Sequence, residues 1–226
     1  MFLKTLLKFN DLLDLTPFGD YEAHTVDGML TANIAHFTNG GLIELSLKED
    51  NDIHMYTSVG ILKKYLDLFK GDTINMSTND ECMLIWDDDL EVVVPLVDKE
   101  TASSNTKKLK KIPDYTDSFE FKISSEDMKH IVNITSKMEE LIVKFELSSN
   151  LKIKVKNVTK KFPAIVGEKP KDWYFSLELL KALTKHASVD IKFNLHYDDN
   201  IPSLITYTSG PLHVKAYIMI SKVNDD

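Results

Sequence analysis

Four segments of this chain repeat apolar residues at the spacing of a helix, and the stretches between them read as short strands. The first, residues 2–14, uses Leu3, Leu6, Leu7 and Leu13 as its apolar side, with Lys4 and Lys8 one turn apart on the other. The second opens at Ser58, a good N-cap, carries the stripe Leu62, Tyr65, Leu66 and Phe69, and is expected to stop at Gly71. Its Lys63, Lys64 and Lys70 fall off that stripe. The third sets Ser124 and Asp127 at capping-box spacing, presents Met128, Ile131, Val132, Thr135 and Met138 as a core face, and carries Lys129 and Lys137. The fourth starts at Ser176, puts Glu178 in its first turn, and repeats Leu179, Leu180, Leu183 and Ala187 beside Lys181 and Lys185.

Short β-rich runs fill the intervals: 42–47, 74–77, 83–86, 90–96, 141–147, 151–155, 191–196, 204–208 and 213–220. Turn signals punctuate them at Asn39-Gly40-Gly41, Asn79-Asp80, Asp87-Asp88-Asp89, Ser149-Asn150, Asp198-Asp199-Asn200 and Ser209-Gly210-Pro211. The order is helix, strands, helix, strands, and then the same again at a spacing of about 120 residues, as in two copies of one design. Residues 98–117 are polar, lack periodicity and are longer than a connection inside a domain. They predict an α+β chain of two similar domains, 1–97 and 118–226, joined by a connector at 98–117 with its boundary near residue 110.

Charge changes the picture. All 27 Lys+Arg positions are lysine, against 35 Asp+Glu, for a net charge of -8. The four helical segments nevertheless gather nine lysines, a local positive surface inside a negative global field. Lysine is a hydrated point charge that suits phosphate oxygens, whereas base reading in the groove relies mainly on arginine. A nucleic-acid partner would therefore be held without regard to sequence. Lys152, Lys154 and Lys156 alternate along one strand and give a second stripe, read as a solvent-facing sheet surface.

Other chemistry finds little support. Asp87-Asp88-Asp89 on a hairpin tip lacks calcium-loop spacing or a distant metal partner, and the seven histidines show no ligand pairing, so neither metal nor cofactor is expected. No phosphate loop, dinucleotide fingerprint or nucleophile elbow occurs, so no enzyme activity is expected. Cys82 is the single cysteine and lies in an apolar run, as a buried thiol in a reducing compartment, most simply the cytoplasm. The N-terminal run is broken by Lys4, Lys8, Asn10 and Asp11 and reads as a helix rather than a signal sequence, and no stretch approaches a membrane span.

Three stretches resemble the ring-shaped DNA sliding clamps, both the PCNA type and the shorter tailed-phage type. Residues 175–226, FSLELLKALTKHASVDIKFNLHYDDNIPSLITYTSGPLHVKAYIMISKVNDD, resemble the clamp C-terminus of helix, two strands, Pro-containing strand entry, turn and Tyr-bearing last strand. Lys108 to Asp114 is similar to the interdomain loop, in which an Ile-Pro pair precedes the second domain, and 60–76 to the second helix and following strand. The start almost directly in a helix is similar to the phage branch and implies a viral or phage protein in the host cytoplasm, while 159–171 matches nothing in the family.

The resemblance implies a clamp fold, two helices packed on antiparallel sheets in each domain, assembling as a head-to-tail homotrimeric ring by pairing of edge strands. It implies a processivity factor that encircles duplex DNA and performs no chemistry. The nine lysines Lys4, Lys8, Lys63, Lys64, Lys70, Lys129, Lys137, Lys181 and Lys185 would face the duplex. A DNA polymerase and an ATP-driven loader are the implied partners. Leu109, Ile112 and Pro113 would wall a pocket for partner peptides floored by Pro202, Tyr217 and Ile220. The alternative is a monomeric or dimeric processivity factor, or a checkpoint-type clamp subunit.

Overall fold

The structure is a computed structural model that describes residues 3–13, 20–36, 41–49, 51–105 and 113–219. It divides into two compact units, 1–110 with 208–215, and 111–207 with 216–226. In the first unit α1 (Leu3–Leu13) precedes β1 (Asp20–Val26), β2 (Met29–His36), β3 (Gly41–Lys48) and β4 (His54–Ser58). These four strands pair antiparallel in the order β4-β1-β2-β3. Then α2 (Val59–Leu66) leads to the small sheet β5 (Asn75–Thr78), β6 (Cys82–Trp86) and β7 (Glu91–Pro95), followed by α3 (Lys99–Asn105).

In the second unit β8 (Ser118–Ile123) precedes α4 (Ser125–Lys137), and four strands follow: β9 (Ile142–Leu147), β10 (Asn150–Val155), β11 (Val158–Val166) and β12 (Lys171–Ser176). Their order is β11-β10-β9-β12, the same topology as β3-β2-β1-β4. After α5 (Leu177–Thr184) come β13 (Ile191–His196), with β8 beside it, β14 (Ser203–Ser209) and β15 (Leu212–Ile218); residues 208–215, the end of β14 and most of β15, belong to the first unit. The two halves thus share helix, four strands, helix and three strands. This is the α+β architecture of two similar halves that the sequence pattern predicts.

Local chemistry explains the helix starts. Ser58, Ser124 and Ser176 are N-caps whose hydroxyls accept from the backbone N–H groups of Ile61, Asp127 and Leu179. Each helix buries most of the predicted stripe: Leu62 and Leu66 on α2, Met128, Ile131, Val132 and Thr135 on α4, Leu179, Leu180 and Leu183 on α5, while Tyr65 and the C-cap Met138 are only half-buried. On α1 the buried face holds Leu3, Leu6 and Leu13 with Phe9 and Leu12, while Leu7 is half-buried. The helices pack in pairs, α1 on α2 and α4 on α5.

Several expectations need correction. The second helix stops at Leu66 with Asp67 as its C-cap, not at Gly71. Phe69 is buried beyond the helix end, held by a turn in which its N–H donates to the Leu66 carbonyl. The connector at 98–117 is not free of secondary structure. Asp98 accepts from the Thr101 N–H and hydroxyl, both at 2.9 Å, and starts α3. On α3 the one apolar residue is Ala102, which is buried, too little to create a periodic signal. The stretch 159–171 becomes the edge strand β11 and the entry to β12. Pro163 is tolerated because β11 is an edge. Gly167 is required by contact: a Cβ there would stand 2.4 Å from Leu147 Cδ2 and 3.0 Å from Phe119 Cε2.

Candidate nucleic-acid interface

The predicted lysines all ride on the helix pairs or their ends. In the first unit Lys4 and Lys8 lie on α1 and Lys63 and Lys64 on α2, while Lys70 falls in the turn beyond it. In the second, Lys129 and Lys137 lie on α4 and Lys181 on α5, while Lys185 is the C-cap. Eight of the nine are exposed and Lys8 is half-buried. Burial of the opposite stripe dictates this, because a lysine off the stripe must project away from the sheet.

Their ammonium groups are not equally available. Lys129 Nζ donates to the Ala187 carbonyl at 2.9 Å and ties α4 to the end of α5. Lys8 Nζ donates to Ser209 Oγ at 3.3 Å. Lys4 pairs with Asp72 at 3.1 Å, but both side chains remain about four-fifths exposed (83% and 80%), so that pair contributes little. Lys63 lies 3.8 Å from Asp11, a loose pair, and Lys64 lies 6.0 Å from the Tyr65 ring. Lys70, Lys137 and Lys181 make no ion pair among the described residues and carry the least encumbered charge.

The stripe at Lys152, Lys154 and Lys156 is different. Lys154 pairs with Glu146 at 2.6 Å and Lys152 with the same carboxylate at 3.6 Å. Lys156 pairs with Glu140 at 2.9 Å and donates to the Met138 carbonyl. Lys144 also approaches Glu146, at 3.4 Å, and Asp172, at 2.7 Å. The hydrogen bond from Lys154, with those charges, holds the Glu146 carboxyl below its ordinary range.

The partner pocket is described in part. Leu109, Ile112 and Ile220 lie outside the described residues. Pro113 and Pro202 are half-buried, whereas Tyr217 is buried at 4% exposure. Tyr115, which the sequence analysis did not single out, joins them: its hydroxyl donates to the Pro202 carbonyl at 2.8 Å, and its ring meets His196 edge-on at 6.3 Å. Burial, and then the neighbouring Tyr217 phenol, push the Tyr115 hydroxyl upward in pKa, so it remains a donor at all ordinary pH. Tyr115 is the single aromatic residue of the sequence 98–117, and that was the signal available for it.

The aspartate triplet is a turn. Asp87 Oδ1 accepts from the N–H groups of Asp89 and Leu90 at 2.9 and 2.8 Å. Among the described residues no cluster of three or more His, Cys, Asp or Glu is arranged to hold a metal, and no helix is long and apolar enough to cross a membrane. Cys82 is half-buried rather than buried, at the start of β6.

No protein-family profile and no curated protein matches the sequence. Solved structures do match along the whole chain. A. fulgidus PCNA, in a structure with the C-terminal region of FEN-1 bound, superposes with a TM-score of 0.77 at 14% identity, covering 100% of this chain and 98% of that one. PCNA from Thermococcus kodakaraensis gives 0.76 at 14% identity, covering 97% of each chain. Proliferating Cellular Nuclear Antigen from Entamoeba histolytica gives 0.72 at 13% identity, covering 98% and 96%. The chain has the fold of the DNA sliding clamps.

Proposed function

We propose that this chain is a DNA polymerase processivity factor: a sliding clamp that closes as a homotrimer around duplex DNA. The observation that carries the reading is the full-length clamp fold whose two helix pairs both present exposed lysines in a chain of net charge -8. Phosphates would meet mobile, hydrated ammonium groups in weak individual contacts, which permits sliding, while encirclement prevents escape. Lys70, Lys137 and Lys181 are the strongest candidates for these contacts. Lys129 serves α5 first.

Closure would use sheet edges. β11 has no buried residue and ends at Val166, 69% exposed; β7, at the edge of its own sheet, exposes Val93 to 57%. Apolar edge strands left open template aggregation, and pairing β7 of one subunit with β11 of the next would cover both. A polymerase would dock by a short peptide beside Tyr115, Pro202 and Tyr217. Rebinding at high effective concentration then turns brief synthesis into processive synthesis. Loading onto closed DNA would use an ATP-driven loader, and the chain itself would perform no chemistry.

Native mass measurement tests the assembly. The expected mass is three times 25.8 kDa, and Ile165→Lys on β11 should return it to one. A wild-type monomer would favour the non-ring processivity factor. After loading, the protein should stay on nicked circular DNA and leave linear DNA; equal loss from both would remove the topological mechanism. The double change K137E/K181E should weaken DNA association and flatten its salt dependence without changing the mass.

A further inference from the structure

The units differ at one equivalent place on their four-stranded sheets. In both, the N-cap serine pairs with the first residue of the neighbouring strand, Ser58 with Asp20 and Ser176 with Ile142. Counting from these pairs matches Glu22 with Lys144, Tyr56 with Tyr174, His24 with Glu146 and His54 with Asp172. All eight lie on the face away from the helix pair, because the alternating Tyr21, Ala23, Val143 and Phe145 are buried beneath it.

In the first unit that face is a seat and α3 fills it. The helix packs on β1 and β4 with Ala102 fully buried. Ser103 Oγ donates to Glu22 Oε2 at 3.1 Å, and Lys99 Nζ stands 5.6 Å from the centre of the Tyr56 ring. The seat supplies the carboxylate and the ring, and the helix supplies the hydroxyl and the ammonium.

The second unit keeps the ring and inverts the charge. Lys144 Nζ takes the place over Tyr174, at 5.7 Å. Lys152, Lys154 and Lys161 share the face, since Lys152 pairs with Lys161 across the strands and Lys154 with Lys144. Four ammonium groups there meet two carboxylates, Glu146 and Asp172. Among the described residues this unit has α4 and α5 but no third helix to lie on it.

We propose that this face of β9 and β12 is a docking seat for a short acidic helix of another protein. A seat of inverted charge calls for an occupant of inverted charge: a small central residue where α3 has Ala102, flanked by carboxylates that reach Lys144, Lys152 and Lys154. The present ion pairs do not block it, because partly exposed pairs are weak and an incoming carboxylate exchanges for them. Glu146, at the centre of the lysines, opposes a phosphate backbone and a carboxylate alike, so the choice of a helix rests on the match with α3 in the first unit, which a nucleic acid does not reproduce. The seat is independent of ring closure.

A labelled synthetic helical peptide with a central alanine and glutamates on both flanking turns, titrated into the full chain, tests this by fluorescence anisotropy, with hydrogen exchange locating the site. Saturable binding, protection confined to β9, β10 and β12, and affinity about tenfold weaker in Lys144→Glu are expected. Tyr174→Ala, folded by the same exchange pattern elsewhere, should weaken binding independently. No saturation, unchanged affinity in both variants, or equal binding of the same peptide with lysines for glutamates would each overturn the proposal. So would an oligothymidylate that protects this face where the peptide does not.

Discussion

The two units reach the same topology with unlike interiors. The first packs aliphatic side chains around a buried polar link: Asn10 donates to the Val59 carbonyl at 3.0 Å and accepts from the Tyr21 hydroxyl at 3.1 Å, joining α1, β1 and the start of α2. The second is aromatic. Phe121 stacks on Phe193 at 5.1 Å, Phe145 meets Phe193 at 5.5 Å and Phe175 at 5.0 Å, and Trp173 lies parallel to Phe119 at 6.1 Å. The Trp173 indole donates to the His196 carbonyl at 2.8 Å. What the units share is alternation and serine caps; what fills the space is free to vary within volume and polarity limits. One interior is oriented by hydrogen-bond valence, the other by ring shape.

The sharpest way to break that contrast is to remove a ring. Trp173→Ala deletes the largest fully buried side chain of the second unit and leaves the His196 carbonyl unpaired, at a cost of about 3–5 kcal/mol. Chemical denaturation should show the second unit melting early. A loss under about 1 kcal/mol would mean that the ring cluster does not organise the unit. In the first unit Asn10→Ala strands the Tyr21 hydroxyl, at about 1–3 kcal/mol, and takes away the second bond to the Val59 carbonyl, which keeps its partner inside α2. Asn10→Ala combined with Tyr21→Phe should recover part of that loss, because it removes one stranded group. Full additivity would show that the two residues do not act as a link. Gly167→Ala probes the second unit more gently: Leu147 must give way to the new methyl, at about 1–3 kcal/mol by overpacking.

These residues also show how much the sequence discloses. Helix starts were legible because a serine before an apolar stripe carries its own mechanism, and the doubling of the design followed from their spacing. β1 and β2 were harder to read. The run from Asp20 to His36 mixes Glu, His, Asn and Ala with its apolar positions, although Asp27-Gly28, both at positive φ, marks the hairpin between them. The strand β11 hides its period because Lys160 takes a half-buried position and the register slips opposite Asn150 and Leu151. The lysines could be assigned to helices, but not sorted. That Lys129 is spent on Ala187 while Lys137 and Lys181 are not depends on tertiary neighbours that no local pattern encodes. The bond that gives Tyr115 its place likewise becomes visible only when its hydroxyl finds Pro202, 87 residues along the chain.

The smallest predicted effect separates the units by pH. Glu22 is drawn upward by burial, but hydrogen bonds from His54, at 2.8 Å, and Ser103, with the charges of His54 and His24, outweigh it and hold the carboxyl below its ordinary 4.5. A carboxyl more acidic in the folded state leaves the unfolded chain binding more protons in this range. Its contribution to α3 docking is therefore complete above the unfolded value, and is lost as pH falls through the lower folded one. Hydrogen exchange of residues 99–105, corrected for intrinsic rates, should show α3 loosening on acidification while β1 and β2 stay protected. Glu22→Gln should loosen α3 already at neutral pH and abolish the acid step, and an unchanged acid profile in that variant would remove Glu22 as the clasp. In the second unit the low carboxyl at the equivalent face is Glu146, held by Lys154 from the neighbouring strand and by Lys144 on its own rather than by a helix. Acidification there releases lysines instead of an element, so the exchange pattern of β9 and β10 should stay flat where that of α3 steps.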